Sequence, residues 1–291
     1  MTNHNEYGGL KKVLLSHPEN VFYSDEKIES EWKNLGFLQP PNLRSAIEEY
    51  ESFKNVIQEF AEIDVLSIQT DKVSLDGVYC RDASIMTDWG AIICAMGKDN
   101  RVDEVEMHNA FYRSKGIPIL GTIHAPGTLE GGDVAWINAK TLAVAHSYRT
   151  NLSGIEQLKQ LLVPRGIEVI TVDLPHYKGE QDVFHLMSIF SPITDSIAVV
   201  YSPLMPVSFR KELLSRGMDL VEVPDQEFES MGWNVLALDS GHCLMVDGNP
   251  VTRARIEQKG IKVMTYSGQN ISVFGGGGPT CLTRPLLRES S

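Results

Sequence analysis

The chain has 291 residues, 42% hydrophobic and 22% charged, too apolar for a disordered protein and long enough to bury a core without staples. Its 26 Lys and Arg stand against 38 Asp and Glu, and a net charge of −12 disfavours a general binder of nucleic acid or anionic membranes. With no run of about 18 apolar residues, no basic-then-apolar leader and no CxxC among Cys80, Cys94, Cys243 and Cys281, a reduced, cytoplasmic protein without a transmembrane helix is expected.

The elements begin with an apolar strand at Leu10–Ser16, a long amphipathic helix at Leu43–Ile63 and a strand at Val65–Ser67. One pattern then recurs: two apolar β-rich runs around a polar turn, a helix that stops at a glycine, and a further apolar strand. Its first copy is Ser84–Thr87 with Ala91–Met96, a helix over Asn100–Lys115 ending at Gly116, and Ile117–Leu120. The second is Val134–Ile137 with Thr141–Ala145, a helix over Asn151–Arg165 ending at Gly166, and Ile167–Val172. The third is Ser188–Phe190 with Ser196–Tyr201, Pro206–Arg216 ending at Gly217, and Leu220–Val223. The fourth is Val235–Leu238 with Cys243–Val246, Thr252–Lys259 ending at Gly260, and Ile261–Thr265. Strands expected at Ile271–Phe274 and Cys281–Thr283 have no helix after them, and joining them to the N-terminal elements makes a fifth unit that closes a ring.

Equivalent points fall at Asp82, Asp133, His185, Asn234 and Cys281, roughly 50 residues apart, which is the mark of a repeat architecture. A kelch-type propeller has a similar period, but its blades are all strand and the helices here argue against it. No linker or low-complexity stretch interrupts the pattern, so residues 1–291 read as one α/β domain.

Chemistry-bearing residues gather at the repeat junctions: Asp76-Gly-Val-Tyr-Cys-Arg-Asp82, Glu130-Gly-Gly-Asp133, His185-Leu-Met-Ser188 and Gly275-Gly-Gly-Gly-Pro-Thr-Cys281. In a ring of modules such junctions converge. Taken alone, Cys281 reads equally as a buried cysteine in a flexible glycine turn, His185 as a structural histidine and the acids as solvated turns. Taken together they suit a cationic guanidinium: carboxylates match its N–H donors, a thiolate attacks its central carbon, and a histidine moves the protons. Zinc is the competing reading, but the Cys and His residues lack ligand spacing, so neither a metal nor a cofactor is expected.

From Gly9-Leu-Lys-Lys-Val-Leu-Leu to Cys281-Leu-Thr, the order Arg-Asp82, Glu130-Gly-Gly-Asp133, His185 and Gly-Gly-Gly-Gly-Pro-Thr-Cys281 resembles the guanidino-modifying, or pentein, superfamily. The resemblance implies a five-bladed ββαβ propeller. It implies Cys281 as nucleophile of a covalent thiouronium-type intermediate, His185 as general acid and base, and Glu130 as the carboxylate beside it. Asp82 corresponds to the acid that grips the guanidinium, Asp76 to the acidic position six residues earlier, and Asp133 is grouped with them at the substrate. Arg149 corresponds to the arginine that binds a substrate α-carboxylate in dimethylargininases, and Arg101 more loosely to the second arginine of that clamp. Deiminases, dihydrolases and amidinotransferases usually carry an Asp where Met187 stands here, whereas dimethylargininases lack it. The implied activity is C–N hydrolysis on a small guanidino or ureido amino acid. Dimethylargininase-type chemistry to citrulline plus an amine fits best. Arginine deiminase or dihydrolase, citrulline ureidohydrolase, amidinotransferase and a silent propeller that binds an arginine-like ligand stand as alternatives. Oligomeric state is left open.

Overall fold

The computed structural model describes residues 1–68, 72–180, 182 and 184–290. The N-terminal part supplies β1 (Leu10–Leu15), α1 (Pro18–Val21), α2 (Asp25–Leu35), α3 (Leu43–Gln58) and β2 (Glu62–Val65). Four copies of strand, strand, helix, strand follow. They are β3 (Ser84–Thr87), β4 (Gly90–Ile93), α4 (Val102–Ser114) and β5 (Ile119–Thr122); then β6 (Val134–Asn138), β7 (Thr141–His146), α5 (Leu152–Leu162) and β8 (Glu168–Asp173). Next come β9 (Phe190–Pro192), β10 (Ile197–Val200), α6 (Val207–Ser215) and β11 (Asp219–Glu222); then β12 (Leu236–Asp239), β13 (His242–Val246), α7 (Pro250–Glu257) and β14 (Lys262–Tyr266). The last strand is β15 (Thr283–Arg288).

Among the described residues the strands form five three-stranded sheets with one topology: an antiparallel pair, then a helical crossover to a strand parallel with the second. Each parallel step needs a crossover connection, and the helices supply it. The fifth sheet is assembled from both ends of the sequence, with β15 antiparallel to β1 and β2 parallel to β1. The innermost strands are buried on both faces, which explains why β3, β4, β6 and β7 read as continuous apolar runs. The third strand of each unit is half-exposed, as in β5 and β8.

The apolar cores lie between successive units. Ile85 and Ile92 pack with Val134, Trp136 and Leu142. Ala143 and Val199 share a core with Cys243 and Met245. Leu236 and Leu244 pack with Leu10, Val13 and the buried face of α3. Leu14 and Leu286 pack in turn with Met86 and Ile93, so the fifth unit also meets the first. No helix among the described residues is long and apolar enough to cross a membrane.

Three expectations need correction. Ile271–Phe274 is not a strand: Gln269–Val273 forms a single π-helical turn. The carboxylate of Glu49, on α3, accepts the N–H groups of Asn270 and Ile271, so that backbone is satisfied without a sheet partner. The strand expected at Cys281–Thr283 begins at Thr283 and runs to Arg288, which leaves Cys281 on the turn before it. The long helix stops at Gln58 and the strand after it is Glu62–Val65. Helices α1 and α2 lie outside the expected elements, although α2 carries ordinary signals: Ser24 accepts the Lys27 N–H at its start, and Gly36 ends it at φ 85°.

Candidate active site

The glycine run is shaped by what it lies against. A Cβ on Gly275 or Gly277 would fall 2.1 Å or 2.4 Å from atoms of Tyr79, and one on Gly278 would fall 2.5 Å from Asn234. Gly276 adopts φ 76°. The backbone therefore packs closely against Tyr79 and turns beside Asn234. Asn234 Oδ1 accepts both the N–H and the Oγ–H of Thr280, each at 2.9 Å, and its Nδ2 donates to Cys281 Sγ at 3.4 Å. Of the four cysteines, Cys281 alone is not fully buried. Burial pushes the Cys80 and Cys243 thiols up to about 12 and raises Cys94 as well. Burial and the nearby charge of Asp82 also raise Cys281, though there the Thr280 and Asn234 hydrogen bonds oppose the rise.

Cys281 shares one small cavity with Asp76, Tyr79, Asp82, Arg101, Arg149 and His185. His185 Nε2 lies 2.8 Å from Glu130 Oε2. Burial alone would lower His185, but the carboxylates of Asp133, Asp82 and Glu130 outweigh it and raise the imidazole to about 9. Glu130 is fully buried. Burial would raise its carboxyl, yet the bond to His185 and the charge of Arg149, whose Nη1 is 3.5 Å away, hold it below its usual range. Its Oε1 also accepts the Gly97 N–H at 3.0 Å. The neutral-pH arrangement is thus a histidine cation against a glutamate anion.

Asp82 accepts the Gly132 N–H at 2.9 Å on Oδ1 and Arg101 Nη1 at 2.6 Å on Oδ2. Burial would raise this carboxyl, but Arg101, then His185, hold it at about 2. Gly132 is wedged between the two: a Cβ there would sit 2.6 Å from His185 Nδ1 and 2.8 Å from Asp82 Oδ1. Gly132→Ala is expected to push them apart and to lower kcat/KM by on the order of 100-fold, with the circular dichroism spectrum unchanged. Near-normal kinetics in the variant would show that this packing does not set the site geometry.

Arg101 and Asp133 hold protein partners that their residue types do not announce. Arg101 is committed to the protein: Nε and Nη2 bind the two Glu104 oxygens at 2.8 Å each, Nη2 reaches the Tyr79 carbonyl at 3.0 Å, and Nη1 holds Asp82. With this donor set it props the Asp76–Asp82 loop while lining the cavity. Asp133 does not line the cavity. It is buried, accepting the Leu186 N–H at 3.1 Å and the Ser147 Oγ–H at 2.6 Å, and so steadies the turn that carries His185. Arg149 does line the cavity, and Asp76 reaches it while paired with Lys98 Nζ at 2.6 Å. Met187, 2% exposed, is absent from the lining and packs in the apolar core beside Ile189 and Phe190.

Asp82, Glu130 and His185 place possible ligand atoms within 4.8 Å of one another, the one such group among the described residues. Its members come from separate modules, so local spacing could not reveal it. Asn234, Tyr79, Lys98 and Glu104 are site residues that motif reading does not single out. For Asn234 the signal is present, since it occupies the repeat position equivalent to Asp82 and Cys281.

Residues 24–288 match the family described as N,N dimethylarginine dimethylhydrolase, eukaryotic. The protein is 25% identical to the Bacillus subtilis protein YkgA over 97% of its own length and 94% of that relative. It is 24% identical to the arginine deiminase of Listeria welshimeri over 73% of its own length, and spans 61% of that enzyme. In fold it is similar to the DDAH of Pseudomonas aeruginosa, solved as a cysteine-to-serine mutant with citrulline: TM-score 0.76, 21% identity, 97% of this protein and all of that one. It is also similar to the N-terminal domain of ArgZ, a cyanobacterial arginine dihydrolase, bound to product: TM-score 0.81, 16% identity, 95% and 97% covered.

Proposed function

The chain belongs to the N,N-dimethylarginine dimethylhydrolase family, within the pentein superfamily, and from that premise we propose that it hydrolyses a C–N bond in the guanidino group of an arginine-like amino acid, with N-methylated arginine giving citrulline and an alkylamine. The observation that carries the reading is the single cavity onto which Cys281, His185 and Asp82 open, with Glu130 behind the histidine. We take residues 1–291 as one catalytic domain whose five sheets close as a ring.

Arg101 and Gly132 use two of the roughly four acceptor positions of the Asp82 carboxylate, and the others receive the substrate guanidinium. A cation bound there offsets the Asp82 charge that raises Cys281, so substrate favours loss of the thiol proton to solvent. The thiolate sulfur bonds to the guanidinium carbon. The tetrahedral adduct collapses as the His185 imidazolium gives its proton to the departing nitrogen, and the amine leaves a thiouronium on Cys281. Neutral His185 then takes a proton from water, whose oxygen bonds to the same carbon. The C–S bond breaks as the added hydroxyl gives its proton to solvent, releasing neutral citrulline and returning the thiolate. With Met187 in the apolar core, Asp82 and Asp76 are the cavity's carboxylates for the guanidinium.

The test is a product assay for citrulline, ornithine, ammonia and methylamines on arginine, methylated arginines, citrulline and agmatine. Citrulline plus methylamine or dimethylamine is expected, and a wide preference for free arginine would replace this reading with a deiminase or dihydrolase. Arg149 is the α-carboxylate partner in this scheme. Arg149→Lys, which loses bidentate geometry, is expected to raise KM about 10- to 100-fold with a smaller change in kcat. Agmatine turned over as well as the amino acids would refute that assignment.

A further inference from the structure

A second cavity is lined in part by Asn5, Glu6, Arg81, Trp136, Arg284 and Arg288. The three arginines are 1%, 5% and 1% exposed. Arg81 Nη2 binds Glu6 Oε2 at 2.9 Å and its Nε donates to the Thr280 carbonyl at 3.0 Å. Arg284 Nη2 donates to the Arg81 carbonyl at 2.6 Å, and Arg288 Nη1 donates to the carbonyls of Gly8 and Ala237. Arg284 Nε, Arg288 Nε and Arg288 Nη2 are buried and meet no acceptor among the described residues. Glu6 is the carboxylate that serves this cluster among the described residues, paired directly with Arg81 and acting through its charge on Arg284 and Arg288.

Buried unpaired cations are costly, and buried donors without acceptors add to the cost. Water would satisfy the donors but not the charge. Deprotonation does not remove the charge either: burial lowers Arg288 only to about 10, against the pull of Glu6, so it stays protonated at neutral pH. A small anion answers both deficits. The space beside these donors is small, which favours a monoatomic anion over phosphate or a carboxylic acid. We infer that this cavity is a binding site for a small monoatomic anion of the halide class, held by the unpartnered donors of Arg284 and Arg288. The site adjoins the catalytic loop, because the Arg81 N–H donates to the Cys281 carbonyl and Asp82 is the next residue.

The test follows the melting temperature of the full-length protein as sodium gluconate is exchanged for sodium chloride at constant ionic strength. A saturable rise of roughly 2–4 °C is expected. Glu6→Gln, which removes the internal anion, should move the midpoint to lower chloride, and Arg288→Met should erase the dependence. Should Arg288→Met not fold, wild-type crystals grown in bromide give the answer: an anomalous peak is expected within hydrogen-bond distance of Arg284 Nε and Arg288 Nη2. A melting temperature indifferent to the exchange, a response unchanged in Arg288→Met, or no bromide peak at these atoms overturns the site. None of these readouts depends on turnover, so the result is independent of the substrate assignment.

Discussion

Cys281→Ser is expected to reduce turnover by on the order of 10⁴-fold or more while leaving the melting temperature near that of wild type. The substitution is nearly isosteric, and the Asn234 amide that faces Sγ at 3.4 Å can face a hydroxyl equally well. What changes is ionisation: a serine hydroxyl does not reach the alkoxide near neutral pH, even with a cation at Asp82. No other cysteine can substitute, because Cys80, Cys94 and Cys243 are buried with their thiols raised. Iodoacetamide should accordingly label Cys281 first, and a substrate analogue that occupies the cavity should protect it. Substantial turnover by a well-folded Cys281→Ser protein would rule out the covalent route. Labelling of Cys281 no faster than the three buried thiols would favour a protein that binds without catalysis.

Much of the fold was legible because its modules obey a local grammar. Apolar runs around polar turns, helices stopped by Gly116, Gly166, Gly217 and Gly260, and a period near 50 residues together located four of the five units. The fifth was harder, since its strand pair joins residues from opposite ends of the sequence, such as Leu10 with Arg288, and the strand expected at Ile271–Phe274 is a π-helical turn held by Glu49. An apolar run of four residues carries no period long enough to separate these outcomes.

The site was legible in its membership more than in its pairings. Asp82, Glu130, His185 and Cys281 could be picked out at the module junctions and Arg149 by family resemblance, and the structure gathers them. Arg101 and Asp133 were harder to judge because residue type does not say which neighbour a charge will meet. Arg101 is three residues from Glu104 on the same helical turn, and that local bidentate pair takes two edges of its guanidinium. Asp133 points back at the Leu186 backbone, fifty-three positions away in sequence, which no spacing rule anticipates. Met187 shows the converse: the missing Asp was visible in the sequence, but only packing reveals that the methionine belongs to the core.

Glu130→Gln is expected to lower kcat/KM by roughly 10²–10⁴-fold and to move its alkaline limb to lower pH. The amide keeps the shape and can still accept the Gly97 N–H, so the loop should hold. It then turns an N–H toward His185 Nε2, where a carboxylate oxygen had been, and two donors face each other whenever the imidazole is protonated. In the wild type, burial disfavours the imidazolium, but Asp133, Asp82 and Glu130 together raise it to about 9, so the proton needed by the leaving amine is retained across the neutral range. Stability depends on the same proton. A histidine raised in the fold contributes stability that is fully present below about pH 6.5 and lost as pH rises through about 9. In Glu130→Gln that alkaline loss should begin at lower pH, and the fall in kcat/KM should track it. Arg149→Lys keeps the neighbouring positive charge and loses only bidentate geometry, so it should raise KM and leave the alkaline limb in place. An alkaline limb unmoved in Glu130→Gln, with a rate within a few-fold of wild type, would mean that Glu130 does not hold the His185 proton and that Asp133 and Asp82 suffice.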